Sequence, residues 1–165
     1  VRLAAERGVP IVLMHNRAEA RYRNLIAEVI ADLQRALQRA LDAGVPWDHL
    51  VVDPGFGFGK GTQHNLQLLA QLQRFTELGL PVLAGLSRKK TIGELIAREL
   101  TGREDPRERI FGSVAAHLIA AQRGAMLLRV HDVAATVDAL KVWNAVAAVP
   151  APRVDAKPAI AWPDD

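Results

Sequence analysis

The 165-residue sequence contains no cysteine, which excludes a disulfide scaffold, a zinc site built on thiolates and a cysteine nucleophile. Aromatic residues make up only 5% of the chain. No apolar run approaches the roughly 18 residues that a membrane-spanning helix needs, so no membrane partner is expected. Neither sign of charge dominates, with 21 basic and 18 acidic residues. The basic residues form no long run, which argues against nucleic-acid binding.

The chain has enough apolar residues to fold. Hydrophobic residues make up 50% of it, which excludes intrinsic disorder, and a domain of this size buries roughly 70% of its unfolded surface. The chain opens on Val1 and not on methionine, with no charged-then-apolar signal segment. Together with the lack of cysteine, this predicts a cytoplasmic protein and a chain that is a piece of a longer one.

Short apolar runs alternate with longer amphipathic stretches along the chain. Each run is too short for a helix and rich in branched residues, which is typical of buried strands in parallel sheets. The predicted strands cover residues 10–14, 49–52, 81–84 and 125–128. Six helices are predicted. The first ends at residue 7, the second covers 24–43, and the third runs from a cap at Asn65 through Phe75 to about Gly79. The fourth follows the third strand and runs through Ile96, the fifth begins at Asp105 after a break over 101–105, and the last covers 132–146.

Strands that alternate with helices predict right-handed βαβ units and a parallel sheet. The expected fold class is α/β, as the C-terminal half of a (β/α)8 TIM barrel, since a complete barrel needs about 250 residues. We expect a partial barrel domain over residues 1–149, lacking its N-terminal half, and a tail over 150–165. The tail contains four prolines and no apolar periodicity, which predicts disorder.

Polar and glycine residues follow each predicted strand directly. They form four clusters, at 14–17, 53–60, 85–90 and 129–132. The carboxyl ends of barrel strands carry the active site in this fold, so the clusters predict one site on one rim.

The glycine-rich cluster Asp53–Lys60 is not a phosphate-binding loop. A P-loop needs Ser or Thr after its lysine, whereas Gly61 follows Lys60. The dinucleotide-binding pattern also fails, because it needs a third glycine where Lys60 stands. Alternate glycines let the backbone fold tightly, which either exposes Phe56 or Phe58 to a pocket or forms a turn with two core phenylalanines.

Asp53 is the only acidic residue directly at the end of a predicted strand. A carboxylate there can accept two parallel N–H bonds from an amino-substituted heterocycle, as it does from guanidinium. The alternatives are a helix cap or an ion pair with a nearby Lys or Arg. A metal site of His15, Asp53 and His131 also stays open, although no paired ligands stand at metal spacing.

Cationic and donor side chains at the other strand ends indicate an anionic substrate. They are Lys89, Arg129 and His131, with Ser87 at a predicted helix start that suits a carboxylate or phosphate. Simpler roles remain open for some of these residues: His131 as a cap and Arg129 paired with Asp132. We expect the side chains of Arg88 and Lys90 to be solvated and those of His49 and His117 to have structural roles. The roles of His15 and His64 are left open.

Three of these clusters together resemble dihydropteroate synthases, the pterin transferases of folate biosynthesis. The matching blocks are Asp53–Lys60 with His64-Asn65, Gly85–Lys89 with Ile92-Gly93, and Arg129–Asp132. Their order and spacing are similar to the second half of that family, over about residues 10–146. Met14-His15 resembles a strand end of the family that touches the pterin, whereas Asn16-Arg17 stand where members of the family vary.

The resemblance implies an enzyme that joins 6-hydroxymethyl-7,8-dihydropterin diphosphate to 4-aminobenzoate, with release of diphosphate. It implies that Asp53 holds the amino edge of the pterin and that Lys89 contacts the ring. Arg129 would pack on the pterin and, with His131, meet the diphosphate. Phe58 and Ser87 would lie on the aminobenzoate side, and Gly85 would join the substrate-binding set.

The resemblance also implies Mg²⁺ as a cofactor and a homodimer formed through the late helices. The Mg²⁺ ligand is expected in the N-terminal part, so no metal ligand is assigned in this chain and the chain alone is expected to be inactive. Unpaired strand edges predict that it dimerises or aggregates. The alternatives are a pterin-binding methyltransferase of the methyltetrahydrofolate type and a non-catalytic barrel remnant.

Overall fold

The computed structural model describes residues 1–96 and 105–150. Helices and short strands alternate along this part of the chain. The elements are α1 (Arg2–Arg7), β1 (Ile11–Met14), α2 (Leu25–Asp42), β2 (Leu50–Asp53), α3 (Thr62–Ala70), α4 (Gln73–Thr76), β3 (Leu83–Ala84), α5 (Lys90–Ile96), α6 (Ile110–Gln122), β4 (Leu127–Leu128) and α7 (Val133–Ala147), with single 3-10 turns at Trp47–His49 and Pro106–Arg109.

The strands pair in parallel and follow one another in chain order. β1 pairs with β2, with Met14 opposite Asp53, and β3 pairs with β4. A parallel bridge between Val52 and Val82 joins the two pairs, and the Val52 N–H donates to the Pro81 carbonyl at 3.0 Å. The predicted α/β class with parallel strands is therefore confirmed.

Helix α2 confirms the predicted amphipathic helix and covers one face of the first strands. The Asn24 side chain caps it by accepting the Ala27 N–H at 3.2 Å, and Gly44 follows its end. Its apolar stripe is buried. The buried residues are Leu25, Ile26, Val29, Leu33, Leu37 and Ala40.

Strand β1 is only partly buried, which corrects the expectation of a fully buried strand. Leu13 is buried, whereas Val12 is 45% and Met14 38% exposed. Successive side chains of a strand point to opposite faces. The face with Leu13 packs into the core, and the described residues leave the other face half open.

The prediction for the helix after the glycine-rich loop was wrong in two respects. Helix α3 begins at Thr62, so Asn65 lies inside it and does not cap it. The helix also ends at Ala70 and is followed by the separate α4, because the backbone at Gln71 leaves helical geometry. This break lets both Leu72 and Phe75 reach the core, where both are 0% exposed.

The predicted helix start at Asp105 is confirmed, with a 3-10 first turn. The Asp105 carboxylate accepts the Arg107 N–H at 2.8 Å, and α6 follows from Ile110. The break predicted over 101–105 and the tail predicted over 150–165 fall almost entirely outside the described residues. Over residues 1–96 and 105–150, no helix combines the length and apolar character needed to cross a membrane.

Candidate functional site

The carboxyl ends of β3 and β4 share one cavity of about 300 Å³. Five of the site residues that the sequence predicted line this cavity. The lining residues are Gly85, Ser87, Lys89, Arg129 and His131, together with Val130. Gly85 permits the close approach of Arg129, since a Cβ on Gly85 would lie 3.1 Å from a guanidinium nitrogen of Arg129.

Asp53 lies at the end of the neighbouring strand β2 and is only 4% exposed. Its Oδ1 accepts the Gly55 N–H at 2.7 Å, and no described residue donates a hydrogen bond to Oδ2. Burial raises the pKa of Asp53, while the Gly55 N–H and the charges of Arg129 and Lys89 oppose that shift. Asp53 thus caps no helix and makes no ion pair within the described residues, and Oδ2 stays available to a ligand.

Lys89 connects the glycine-rich loop to the cavity. Its Nζ donates to the Phe56 carbonyl at 2.6 Å and lies 4.1 Å from the centre of the Phe58 ring. Burial lowers the pKa of Lys89, as does the charge of Arg129, while Asp53 raises it. Phe58 therefore lies beside Lys89 as a half-buried ring, whereas Phe56 is in the core.

Ser87 and His131 form a direct contact between the two loops. The Ser87 hydroxyl accepts the backbone N–H of His131 at 3.1 Å and lies 3.0 Å from its Nδ1. Ser87 stands three residues before α5 and not at the helix start, which corrects the prediction. Met14 lies beside Asp53 in the sheet register but lines a different cavity, next to His15.

Arg88 makes the ion pair with Asp132 that the sequence suggested for Arg129. Its guanidinium holds both carboxylate oxygens of Asp132, at 3.0 and 2.6 Å. Arg88 is therefore not a solvated side chain, and Asp132 is not paired with Arg129. The Arg88 guanidinium also holds the pKa of Asp132 below its usual range. The backbone of Arg88 is left-handed, with φ +56°, and the residues on either side of it, Ser87 and Lys89, both line the cavity.

Two histidines outside the cavity, His117 and His15, have structural contacts. His117 is fully buried, where its Nε2 accepts the Leu86 N–H at 3.2 Å, as expected of a structural residue. His15 is 3% exposed, and both its ring nitrogens are occupied, by Asp32 and Lys60. The alternative of a metal site is therefore not supported, since residues 1–96 and 105–150 hold no cluster of three or more metal-ligating side chains.

Lys60 has a role in this region that was not predicted from the sequence, where it was considered only as the lysine of a P-loop. The side chain is 9% exposed, and its Nζ donates to the carbonyls of Gly55 and Phe58, both at 3.0 Å. The signal available in the sequence was a lysine directly after three alternating glycines, a position where a long donor can fold back onto the loop.

The chain matches the sequence profile described as pterin binding enzyme over residues 1–131. It belongs to the pterin-binding enzyme family. Within this family it is 46% identical over 151 residues to the dihydropteroate synthase of Haemophilus influenzae, with 87% of this chain and 53% of the relative covered. It is 42% identical over 149 residues to the Escherichia coli K12 dihydropteroate synthase, covering 86% of this chain and 51% of the relative.

This chain is also similar to solved structures of dihydropteroate synthases. The Xanthomonas albilineans dihydropteroate synthase with 4-aminobenzoic acid is 60% identical, with a TM-score of 0.83 over 89% of this chain and 52% of that one. The Thermus thermophilus dihydropteroate synthase in complex with 6HMPPP is 56% identical, with a TM-score of 0.80 over 88% and 56%. The chain thus spans about half the length of the family members it matches.

Proposed function

We propose that this chain supplies one half of a dihydropteroate synthase site. In the proposed reaction, the amino group of 4-aminobenzoate displaces diphosphate from 6-hydroxymethyl-7,8-dihydropterin diphosphate, and the product is 7,8-dihydropteroate. The observation that carries the proposal is the cavity that Ser87, Lys89, Arg129 and His131 line beside the buried carboxylate of Asp53. A buried carboxylate next to clustered donors fits a flat, donor-bearing ring that carries an anion.

Each side chain has a part that its surroundings support. Asp53 accepts the N–H groups at the amino edge of the pterin, through the oxygen that no described residue uses. Lys89 contacts the ring. Arg129 packs on the ring and, with His131, neutralises the charge that develops on the leaving diphosphate. Because the reaction needs an anion site, a ring clamp and a slot for the amine, no nucleophilic side chain is required.

The aminobenzoate side is formed by Phe58 and Ser87, with Gly85 and Met14 completing the substrate-binding set. The Phe58 ring already lies against the Lys89 ammonium, so an aromatic amine that packs beside Phe58 would lie near the pterin ring that Lys89 contacts. Related proteins support this substrate pair. Xanthomonas albilineans dihydropteroate synthase has been solved with 4-aminobenzoic acid and in complex with 7,8-dihydropteroate, at 60% identity to this chain.

The chain alone is proposed to be inactive, because it spans about half of the relatives. Its described residues also carry four strands, whereas a TIM barrel needs eight. The open face at Val12 and Met14 agrees with half of a barrel wall. The resemblance implies Mg²⁺, but the described residues contain no cluster that fits a metal ion. We therefore assign Mg²⁺ no ligand here and no step of the reaction to it.

The test is a joined protein, in which the part of the Xanthomonas albilineans enzyme outside the match is placed before this chain. Diphosphate release is measured with both substrates and with each one omitted. We expect release that requires both substrates and is abolished by Lys89→Met, while Lys90→Met serves as the matched control on an exposed lysine. A folded joined protein without such turnover would contradict the proposal and favour a non-catalytic remnant.

A further inference from the structure

The buried lysine at the end of the glycine-rich loop has no part in the reaction proposed above. Lys60 lies beneath the loop of residues 53–60, with its ammonium inside it. All three of its N–H groups have acceptors, namely the carbonyls of Gly55 and Phe58 at 3.0 Å and Nδ1 of His15 at 2.7 Å. No carboxylate lies within ion-pair distance of this ammonium in the described residues, so neutral acceptors hold it in place.

These contacts fix the state of His15. An ammonium can only donate, so Nδ1 of His15 accepts from Lys60 and carries no proton. Nε2 then carries the proton and donates to the Asp32 carboxylate at 3.0 Å. Burial lowers the pKa of His15, and the charge of Lys60 lowers it further, in agreement with a neutral imidazole. Burial also lowers the pKa of Lys60, to about 8.

The loop above Lys60 depends on such a tie. Gly55, Gly57 and Gly59 all have left-handed backbone geometry, with φ of +74°, +73° and +59°. Glycines cost the most conformational entropy to hold in one geometry, so a loop with three of them needs cross-links to stay ordered. Lys60 supplies one link at each end of the loop. The Asn65 side chain supplies a third by accepting the Gly57 N–H at 2.8 Å.

The same loop presents the groups that meet Lys89. The Phe56 carbonyl accepts from Lys89, and the Phe58 ring lies against its ammonium. Gly55 donates to Asp53. Since Lys60 binds the carbonyls of Gly55 and Phe58, a movement of Lys60 changes the position of both the carboxylate and the ring.

We infer that Lys60 and His15 are positioning residues, which together hold the glycine-rich loop in the geometry that presents Asp53, Phe58 and Lys89 to the substrates. The part of the inference that concerns substrates rests on the proposed function, whereas the geometry of the loop does not. Other charged or titratable groups face the pair: Asp53, Asp32, Arg17 and Lys89 act on Lys60, and Tyr22 lies beside His15 and Arg17. Arg17 also donates to Asp32 at 2.8 Å and so extends the network toward the surface.

The first test is nitrogen-15 NMR on the whole chain, without substrate. We expect His15 to be the neutral tautomer protonated at Nε2, with a pKa below the usual value for histidine. Lys60→Met removes the positive charge beside Nδ1, so it should raise the pKa of His15 while Nε2 stays protonated toward Asp32. It should also shift or broaden the amide signals of Gly55, Gly57 and Gly59. The matched control is Lys90→Met, which should leave those signals unchanged. A wild-type His15 without tautomer preference, or unchanged glycine signals in Lys60→Met, would overturn the inference.

The second test uses the joined protein and steady-state kinetics. We expect Lys60→Met to raise the KM for the pterin diphosphate at least tenfold, with a smaller change in kcat. His15→Asn keeps an acceptor near the position of Nδ1, so it should retain more of the wild-type KM than His15→Leu. Equal effects of Asn and Leu, or a loss confined to kcat, would contradict a positioning role.

The two tests separate the inference from the proposed function. If the wild-type joined protein shows no turnover, the proposed function fails and the NMR experiment still decides the role of Lys60. If Lys60→Met does not fold, the amide signals of Gly55, Gly57 and Gly59 in His15→Leu decide it instead, and unchanged signals there would overturn the inference.

Discussion

Replacement of Asp53 by asparagine separates ligand recognition from folding. Asparagine keeps an oxygen that can accept the Gly55 N–H, so the local turn is preserved. It replaces the second carboxylate oxygen with a donor, which faces an N–H of the pterin edge. A hydrogen bond to a charged group is worth about 1.5–3 kcal/mol, and an unpaired buried donor costs about 1–3 kcal/mol. We expect a loss of about 3 kcal/mol in pterin binding, roughly a hundredfold in Kd.

The same substitution should not destabilise the chain without ligand. Burial raises the pKa of Asp53 above its value in the unfolded chain, so the folded state disfavours the ionised form. The raised pKa of Asp53 therefore lowers the free energy of unfolding as the pH rises through the range in which carboxyl groups ionise. At pH 7 the ionised Asp53 opposes folding. Since asparagine carries no charge, the Tm of Asp53→Asn at pH 7 should equal or exceed that of the wild type.

The assays are calorimetric titration of the joined protein with the pterin substrate and thermal melting of the chain. Asp48→Asn is the matched control, because Asp48 is exposed at the 3-10 turn before β2. Pterin affinity within threefold of the wild type would refute the assigned contact. A Tm of Asp53→Asn below that of the wild type would refute the claim that the substitution weakens pterin binding without destabilising the chain.

The remaining predictions concern the cations, the core and the open face. Lys89→Met in the joined protein should lower kcat/KM at least a hundredfold, and kinetics within tenfold of wild type would contradict its contact with the pterin ring. Arg88→Ala should raise the KM for both substrates roughly tenfold, because it frees the loop of Ser87 from Asp132, and an unchanged KM would count against the pair. Phe75→Ala should destabilise the chain by about 3–5 kcal/mol in denaturant unfolding, because the ring is 0% exposed, and a loss below 1 kcal/mol would show that the site collapses. The isolated chain should self-associate in size-exclusion chromatography, since Phe111 is 86% and Val146 68% exposed, and a stable monomer would argue against it.

The sequence predicted the elements whose pattern is local. The apolar stripe of α2 and the helix start at Asp105 can be read from spacing alone, because residues close together in the sequence determine each of them. The inner position of Asn65 could not be predicted, since its partners Gly57 and Thr91 lie on other elements. A cap and a loop anchor require the same residue type, and only the fold distinguishes them.

The candidate site was predictable to a similar extent. Strand ends of a parallel sheet meet at one rim, so the cavity of Lys89, Arg129 and His131 followed from the order of strands and polar clusters. The pairing of Arg88 with Asp132 did not follow, because the two residues are 44 positions apart in the sequence and only the fold brings them together. The same holds for Lys60, whose acceptors are backbone carbonyls and a histidine 45 residues away.

A crystal structure of the joined protein with 7,8-dihydropteroate tests the central claim most directly. We expect the amino edge of the pterin within hydrogen-bond distance of the Asp53 carboxylate, and the ring in contact with Lys89 and Arg129. A product bound on another face of the chain, or an Asp53 carboxylate turned away from the ring, would contradict it.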